Sequence, residues 1–314
     1  MVGEPPLLVI AGPTGVGKTA TAVALARRLP IAVVSADSRQ VYRGLDAATG
    51  KPTPAERAAV PHHLVDIVDP DERYQAARFR ADALAAIERI RGDGRLPVVV
   101  GGTGLYIRAL VRGLDPAPPR DPEFRRELEA VAATAGAAAL HARLEAVAPE
   151  VARRLHPHDR VRVVRALEVH RADPAAPTEQ TRWRSPETPY TLLYVGLTRD
   201  RARLYADLRA RAAAMARQGL ADEVRGLLAR FGAEPLPALE GIGYRQFIDV
   251  VRGRATATEA LRHMQRETVR YAKRQWTWFA REPGIQWIDV DRAGGAEGAA
   301  ETIRKLAETG GLLG

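Results

Sequence analysis

The residues Gly12-Pro13-Thr14-Gly15-Val16-Gly17-Lys18-Thr19 fit the spacing G-x-x-x-x-G-K-[ST]. Glycines at those positions let the backbone curl until successive N–H groups point at one anion. Lys18 adds a point charge for phosphate oxygens, and the Thr19 hydroxyl can reach a bound Mg2+. The loop is of the nucleotide- and ATP-binding type, so a diphosphate or triphosphate ligand is expected. Two more polar turns carry chemical groups. Ser35-Ala36-Asp37-Ser38 supplies a carboxylate. Read locally it is a helix N-cap; read beside an anion site it is a base for the proton of an attacking group. Gly101-Gly102-Thr103-Gly104 permits close backbone approach and offers one hydroxyl to orient a substrate. A nucleotide hydrolase usually ends an apolar strand in an acid that helps hold its metal. Here Val98-Val99-Val100 runs into glycine, which leaves Asp66 or Asp69 for that part. Phosphoryl transfer and other chemistry on a phosphorylated substrate both stay open at this point.

Each turn needs a strand to deliver it. Leu7–Ala11, Ile31–Val34, Leu64–Val68 and Pro97–Val100 are short apolar runs of the kind that form buried parallel strands, and helical spacing fills 20–29 and 79–91. The alternation predicts an α/β fold, a P-loop parallel-sheet core whose ligand site lies beyond the carboxyl ends of the strands. The three polar turns should therefore converge. The pattern changes at two proline-rich flanks, 114–122 and 173–189, which hold four prolines each. Between them Glu123 to Arg171 is continuously helix-like. The reading is a helical insertion domain over 115–189, carried on a core made of 1–114 and 190–314. A strand over Thr191–Leu197, helices at about 199–231 and 256–281 and a last strand over Ile285–Asp289 complete the core.

The chain has 314 residues, with 47 basic against 38 acidic side chains, a net charge of +9. That excess points to an anionic partner, nucleic acid first. Arg262, Arg266, Arg270 and Arg274 recur every four residues, one drifting stripe on a helix. The stripe is either a solvated face or a phosphate track. There are no cysteines, which excludes disulfides, thiolate zinc sites, iron–sulfur clusters and cysteine nucleophiles. His62-His63 and His156-Pro157-His158 lack acids at metal-ligand spacing and read as structural. No apolar run approaches the ~18 residues of a membrane span, and Leu7–Ala11 is too short for a signal peptide. A soluble, cytoplasmic protein is expected.

Taken together and in order, GPTGVGKT at 12–19, SADSRQVYRGLD at 35–46, GGTGLY at 101–106, HPHDRVRVVRALEV at 156–169, GIGYRQ at 241–246 and RYAKRQWTWF at 270–279 closely resemble the tRNA dimethylallyltransferases, also called tRNA isopentenyltransferases. The resemblance runs from about residue 7 to residue 290. It implies that the phosphate loop takes the diphosphate of dimethylallyl diphosphate rather than ATP. It also implies alkylation of the exocyclic N6 of the adenine 3′ of the anticodon, in tRNAs reading codons that begin with U. By position, Gly12 to Thr19 would hold the diphosphate and Mg2+, with Thr19 on the metal. Asp37 would be the general base on the adenine amine, and Thr103 would contact the same nucleotide near the allylic substrate. Ser38, Arg39, Gln40, Arg125, Asp159, Arg160, Val161, Arg162, Val163, Gly243, Tyr244 and Arg245 fall in tRNA-contacting stretches. The resemblance implies tRNA as partner; no obligatory protein partner is evident, and a monomer is expected.

Three places depart from the pattern. Ala48 and Gly50 stand where the family more often has Gly and Ala, Gln75 and Arg78 stand where Ser and an acid are common, and Asp207 replaces a frequent Arg. Two other readings compete: a nucleoside or shikimate-type kinase or an adenylate isopentenyltransferase on a similar core, and a nucleic-acid-binding module with a vestigial phosphate loop.

Overall fold

A computed structural model describes residues 4–114, 118, 120–174, 188–232 and 236–313. Along the chain run β1 (Pro6–Ala11), α1 (Lys18–Ala26), β2 (Ile31–Ala36), α2 (Pro54–Ala59), β3 (His62–His63), α3 (Ala76–Gly92), β4 (Leu96–Gly101) and α4 (Gly104–Arg112). Three helices follow, α5 (Pro122–Val147), α6 (Pro149–Ala152) and α7 (Arg160–Ala172). The chain then gives β5 (Thr191–Thr198), α8 (Arg201–Arg217), α9 (Leu220–Phe231), a 3-10 turn (Pro237–Glu240), α10 (Tyr244–Val251), α11 (Ala257–Phe279), β6 (Gln286–Asp289) and α12 (Gly295–Thr309).

The six strands pair in parallel in the order β3-β2-β4-β1-β5-β6, an α/β sheet as the alternation predicts. Ile10 at its centre is in register with Val100 on one side and Val195 on the other. Both faces are covered, which is why the strands are apolar without alternation. Leu8, Ile10, Val33, Val98 and Val195 face a core shared with Ala22 and Leu25 of α1 and Ala300 and Ile303 of α12. Leu7, Val9, Val34 and Val99 face the larger core, with Phe79 and Ile87 of α3, Tyr106 of α4, Phe247 of α10 and Phe279 of α11.

The expected strand over Leu64–Val68 does not form. Pairing stops at His63, and Leu64 and Asp66 take positive φ of 62° and 58°. The segment instead follows the turn after β2, with the Asp66 N–H donating to the Gln40 carbonyl and the Ile67 N–H to Val41. Lys51 and Arg57 pair with the two oxygens of the Asp66 carboxylate there. The helix-like stretch 199–231 is two helices separated at Gly219, whose φ is 91°. Glu123–Arg171 likewise breaks into three helices, and α5 itself kinks at Gly136.

The chain divides into two compact units, Met1–Val111 with Thr188–Gly314, and Arg112–Glu187. The second has its own core, built on Phe124, Leu128, Leu140, Leu144, Val163 and Leu167. Inside it Arg125 forks onto the buried Glu168, Nε to Oε1 at 2.9 Å and Nη2 to Oε2 at 2.6 Å. Arg165 adds a third contact to that carboxylate at 3.4 Å. Most of the proline-rich stretch 173–189 lies outside the described residues.

Candidate active site

The ends of β1, β2 and β4 bring the three polar turns to one cavity of 610 Å³. In the phosphate loop Gly12, Gly15 and Gly17 have φ of 145°, 78° and 104°, conformations that open the curl and that L side chains rarely adopt. A Cβ at Gly12 would also lie 2.7 Å from the Leu197 carbonyl oxygen of β5. Thr14, Gly15, Gly17, Lys18 and Thr19 line the cavity. The Val16 side chain is buried in the sheet core, so it offers only backbone. Lys18 Nζ donates to the carbonyls of Gly12 at 3.0 Å and Pro13 at 2.9 Å. Burial pulls Lys18 down to about 8, Asp37 pulls it up and Arg211 pushes it down again.

Asp37 forms the cap expected of it locally. Its Oδ1 accepts the N–H groups of Arg39 at 2.8 Å and Gln40 at 3.3 Å, capping the turn after β2. Those two bonds use one oxygen, and the carboxylate lines the cavity. Thr103 is held close by: its Oγ1 accepts the Ser38 N–H at 3.2 Å and its own N–H donates to the Ala36 carbonyl at 3.2 Å. Tyr271 of α11 faces the same pair; burial and the Asp37 charge raise its phenol to about 12, against the pull of the Thr103 side chain.

The cavity is cationic. Lys18, Arg39, Lys51, Arg211, Arg245 and Arg274 line it against Asp37, Glu56 and Glu240. Arg211 of α8 is the member the loop spacing cannot reveal, because it comes from a helix nearly 200 residues downstream. Its guanidinium lies on Gly50, where a Cβ would come within 1.9 Å of Nη2, so the Ala48/Gly50 exchange gives it room. Burial lowers its pKa, opposed by Asp37 and Glu56. Asp207, one turn earlier, instead pairs with Arg199 at 3.1 Å. The cation at the cavity is thus supplied from position 211. Lys51 is almost fully enclosed, donating to the Tyr42 carbonyl at 2.8 Å and to Asp46 at 2.7 Å as well as to Asp66. His62 lines the cavity too, its Nδ1–H donating to the Val60 carbonyl at 2.8 Å, and burial holds its pKa below the usual value.

The residues assigned to RNA contact fare unevenly. Ser38 and Arg245 line the cavity. Arg245 also pairs with Glu267 at 2.9 Å. Arg39 reaches across to the 3-10 turn, donating to the Pro237 carbonyl at 2.9 Å. Gln40 is tied inward at both ends of its amide, accepting from Ser35 at 2.9 Å and donating to the Gly50 carbonyl at 2.9 Å. Asp159 caps α7 through the Arg162 N–H at 3.3 Å, with Arg160, Val161 and Arg162 exposed beyond it. Three of the assigned side chains are engaged within the protein. Arg125 is committed to Glu168, Val163 is buried in the core of its unit, and Tyr244 is buried with its hydroxyl donating to Glu223 at 2.5 Å. Apolar volume or a buried acid claims each of these side chains first. Gly243, with φ of 95°, shapes the start of α10 and offers backbone alone. The arginine stripe splits: Arg274 lines the cavity, while Arg262, Arg266 and Arg270 join Arg209 of α8 around a separate cleft of 300 Å³.

Comparison with known proteins agrees with this geometry. The family model described as IPP transferase matches residues 40–282, and that described as isopentenyl transferase matches 5–63. A protein of Anaeromyxobacter sp. (strain Fw109-5) named tRNA dimethylallyltransferase is 52% identical over 283 residues, covering 90% of this chain and 94% of that protein. The protein of the same name from Syntrophobacter fumaroxidans is 48% identical over 286 residues, covering 91% and 84%. The crystal structure of the full-length tRNA isopentenylpyrophosphate transferase from Bacillus halodurans superposes with a TM-score of 0.72 at 38% identity, covering 98% of each chain. A eukaryotic dimethylallyltransferase captured acting on tRNA gives a TM-score of 0.76 at 25% identity, covering 96% of this chain and 78% of that one. With the phosphate loop, Asp37 and the Gly101-Gly102 turn around one cavity and the match extending through α11, the chain belongs to the IPP transferase family, the tRNA dimethylallyltransferases.

Proposed function

We propose that this enzyme transfers the dimethylallyl group of dimethylallyl diphosphate to the exocyclic N6 of the adenine 3′ of the anticodon, in tRNAs reading codons that begin with U. The observation that carries the reading is a single cavity holding both a diphosphate cradle and a carboxylate with a free oxygen edge. The loop N–H groups, Lys18 and Arg211 suit the diphosphate. Val33, Val100 and Ile242 give the cavity the apolar surface a five-carbon chain needs.

An adenine amine is a weak nucleophile, because its lone pair is delocalised into the ring. Two groups of residues offset that. As the allylic C–O bond breaks, the electron pair leaves with the diphosphate, and the cradle's N–H groups and cations absorb the growing charge. As the new C–N bond forms, the N6 proton passes to Asp37, whose second oxygen the cap leaves available. Thr103 and Tyr271 bound the acceptor side. The base must leave its stack to enter, as for other enzymes that modify a base.

Thr19, at the first turn of α1 and on the cavity wall, is the residue that would hold Mg2+. A single hydroxyl beside an anion site fits an ion that keeps waters and binds chiefly through substrate oxygens. When bound, the ion adds positive charge at the leaving group. Among the described residues no helix is long and apolar enough to cross a membrane. The enzyme meets its tRNA in the cytoplasm, as a monomer.

The test incubates the protein and Mg2+ with unmodified tRNA and labelled dimethylallyl diphosphate, with AMP, ATP or no acceptor in parallel. Label on tRNA alone is expected, at N6 of the adenine after the anticodon. Label on AMP or ATP would redirect the reading to nucleotide prenylation, and ATP consumption without transfer to a kinase.

A further inference from the structure

Gln275 is buried at the cavity wall, yet the chemistry above makes no use of it. Its Oε1 accepts the Thr14 N–H at 2.9 Å, and its Nε2 donates to the Gly102 carbonyl at 2.8 Å. The orientation of the amide is set by its partners: reversed, it would face a donor with a donor and an acceptor with an acceptor. The partners belong to opposite halves of the reaction. Thr14 sits in the loop that cradles the diphosphate, and Gly102 immediately precedes Thr103 beside Asp37. The Thr14 N–H is thereby committed to the protein rather than to the anion.

The surroundings are shaped to this amide. A Cβ on Gly102 would lie 2.2 Å from Nε2, and one on Gly104 would lie 2.1 Å from Trp278 Nε1. Tyr271, Gln275 and Trp278 are spaced four and three residues apart, on one face of α11. That face lies along the turn from Gly102 to Gly104. An asparagine is one methylene too short to span both partners, and a primary amide presents its donor and its acceptor on separate atoms of one rigid plane.

We propose that Gln275 is a positioning residue that sets the distance between the donor cradle and the acceptor turn, and so aligns the allylic carbon with the adenine amine. Displacement at a carbon needs reacting atoms in line and within about 3–3.5 Å, and a misplacement of about 1 Å costs on the order of 10²-fold. Two hydrogen bonds from one rigid amide hold the two turns to that tolerance. The inference rests on the prenyl-transfer reading.

Gln275→Met keeps the volume and removes both bonds. With wild-type transfer measured alongside, kcat should fall by about 10–100-fold, while the affinities for pyrophosphate and for tRNA, each measured alone, change by less than about threefold. Gln275→Glu supplies the second readout. Its carboxylate can accept from Thr14 but repels the Gly102 carbonyl; protonated, it restores both bonds. The ratio of its kcat to that of the wild type should therefore rise as pH falls. The other charged and titratable groups of the cavity, Lys18, Asp37, Arg211, Tyr271 and Arg274, are common to both proteins and cancel in the ratio. A Gln275→Met kcat within about twofold of wild type would overturn the proposal, as would kcat and both affinities falling in parallel. A Glu-to-wild-type ratio independent of pH would also overturn it. Absence of transfer by the wild type would instead sink the functional reading.

Discussion

At Asp37 the observed cap is compatible with the proposed base. As a cap it needs a single oxygen, and Oδ1 takes the N–H groups of Arg39 and Gln40. As a base it needs the other, held still by the same bonds. Asp37→Asn keeps the cap oxygen and loses the base. Turnover should fall by about 10²-fold or more with tRNA affinity nearly unchanged, read from single-turnover rates and filter binding. Wild-type turnover would remove Asp37 as the base. Lys18 gives a different signature. Its amine, held down to about 8 chiefly by burial, must be protonated to attract a diphosphate. The donor kcat/KM should therefore be level well below pH 8, bend near pH 8 and fall above it, approaching about tenfold per pH unit. Lys18→Met should abolish that limb and weaken donor binding more than tRNA binding. A profile that keeps the same descending limb in the variant would assign it to another group.

At the scale of elements, α11 does the most. It begins with a capping box in which the Thr256 hydroxyl accepts from Glu259 N–H and the Glu259 carboxylate answers to Thr256 N–H at 2.8 Å. It buries Ala260, Met264, Ala272 and Phe279 on one side and presents Tyr271, Arg274 and Gln275 to the cavity. Farther from the cavity, Arg262, Arg266 and Arg270 meet Arg209 of α8. Arg270 is partly matched by Glu267 at 2.8 Å, which leaves Arg262 and Arg266 as the stronger phosphate candidates. Replacing both with Gln should flatten the dependence of tRNA affinity on salt, by about 0.7–0.9 in log–log slope for each phosphate no longer neutralised. Label transfer at saturating tRNA should be unaltered. An unchanged slope would make the stripe a solvated face. The i, i+4 spacing of the arginines is visible in sequence. Their division between a cavity and a cleft is not, because it depends on where α8 crosses.

At the scale of the molecule, the unit Arg112–Glu187 carries its own core and its own buried charge. Burial would raise the Glu168 carboxyl, but the hydrogen bonds and charges of Arg125 and Arg165 outweigh it and hold it below its ordinary value of 4.5. A carboxyl depressed in the folded state stabilises above its unfolded pKa and loses that contribution as pH falls through the folded one. This unit should therefore loosen below pH about 4.5, seen as faster amide exchange in α5 and α7. Arg125→Met should cost about 2–3 kcal/mol, below the ~3–5 kcal/mol of a fully enclosed pair, because Arg165 remains and Arg125 is partly exposed. Arg126→Met, at an exposed position of the same helix, should cost under about 0.5 kcal/mol by the same denaturation measurement. Equal losses would remove the Arg125–Glu168 fork as a structural element.

The chain's order of residues determined the α/β class, the insertion of a helical segment and the three turns that meet, because apolar periodicity, glycine spacing and proline flanks are local properties. It also determined the identity of Lys18, Asp37 and Thr103 as chemical groups. The run Leu64–Val68 shows the limit: its apolar residues suit a strand, but its backbone bonds to Gln40 and Val41, and Asp66 pairs with Lys51 and Arg57, so it follows the turn instead. The inward fates of Arg125, Val163 and Tyr244, the place of Arg211 against Gly50 and the two hydrogen bonds of Gln275 to Thr14 and Gly102 were likewise decided by tertiary structure. Each depends on a partner distant in sequence, and burial, not residue type, settles whether a charged or polar side chain meets a ligand or the protein's own interior.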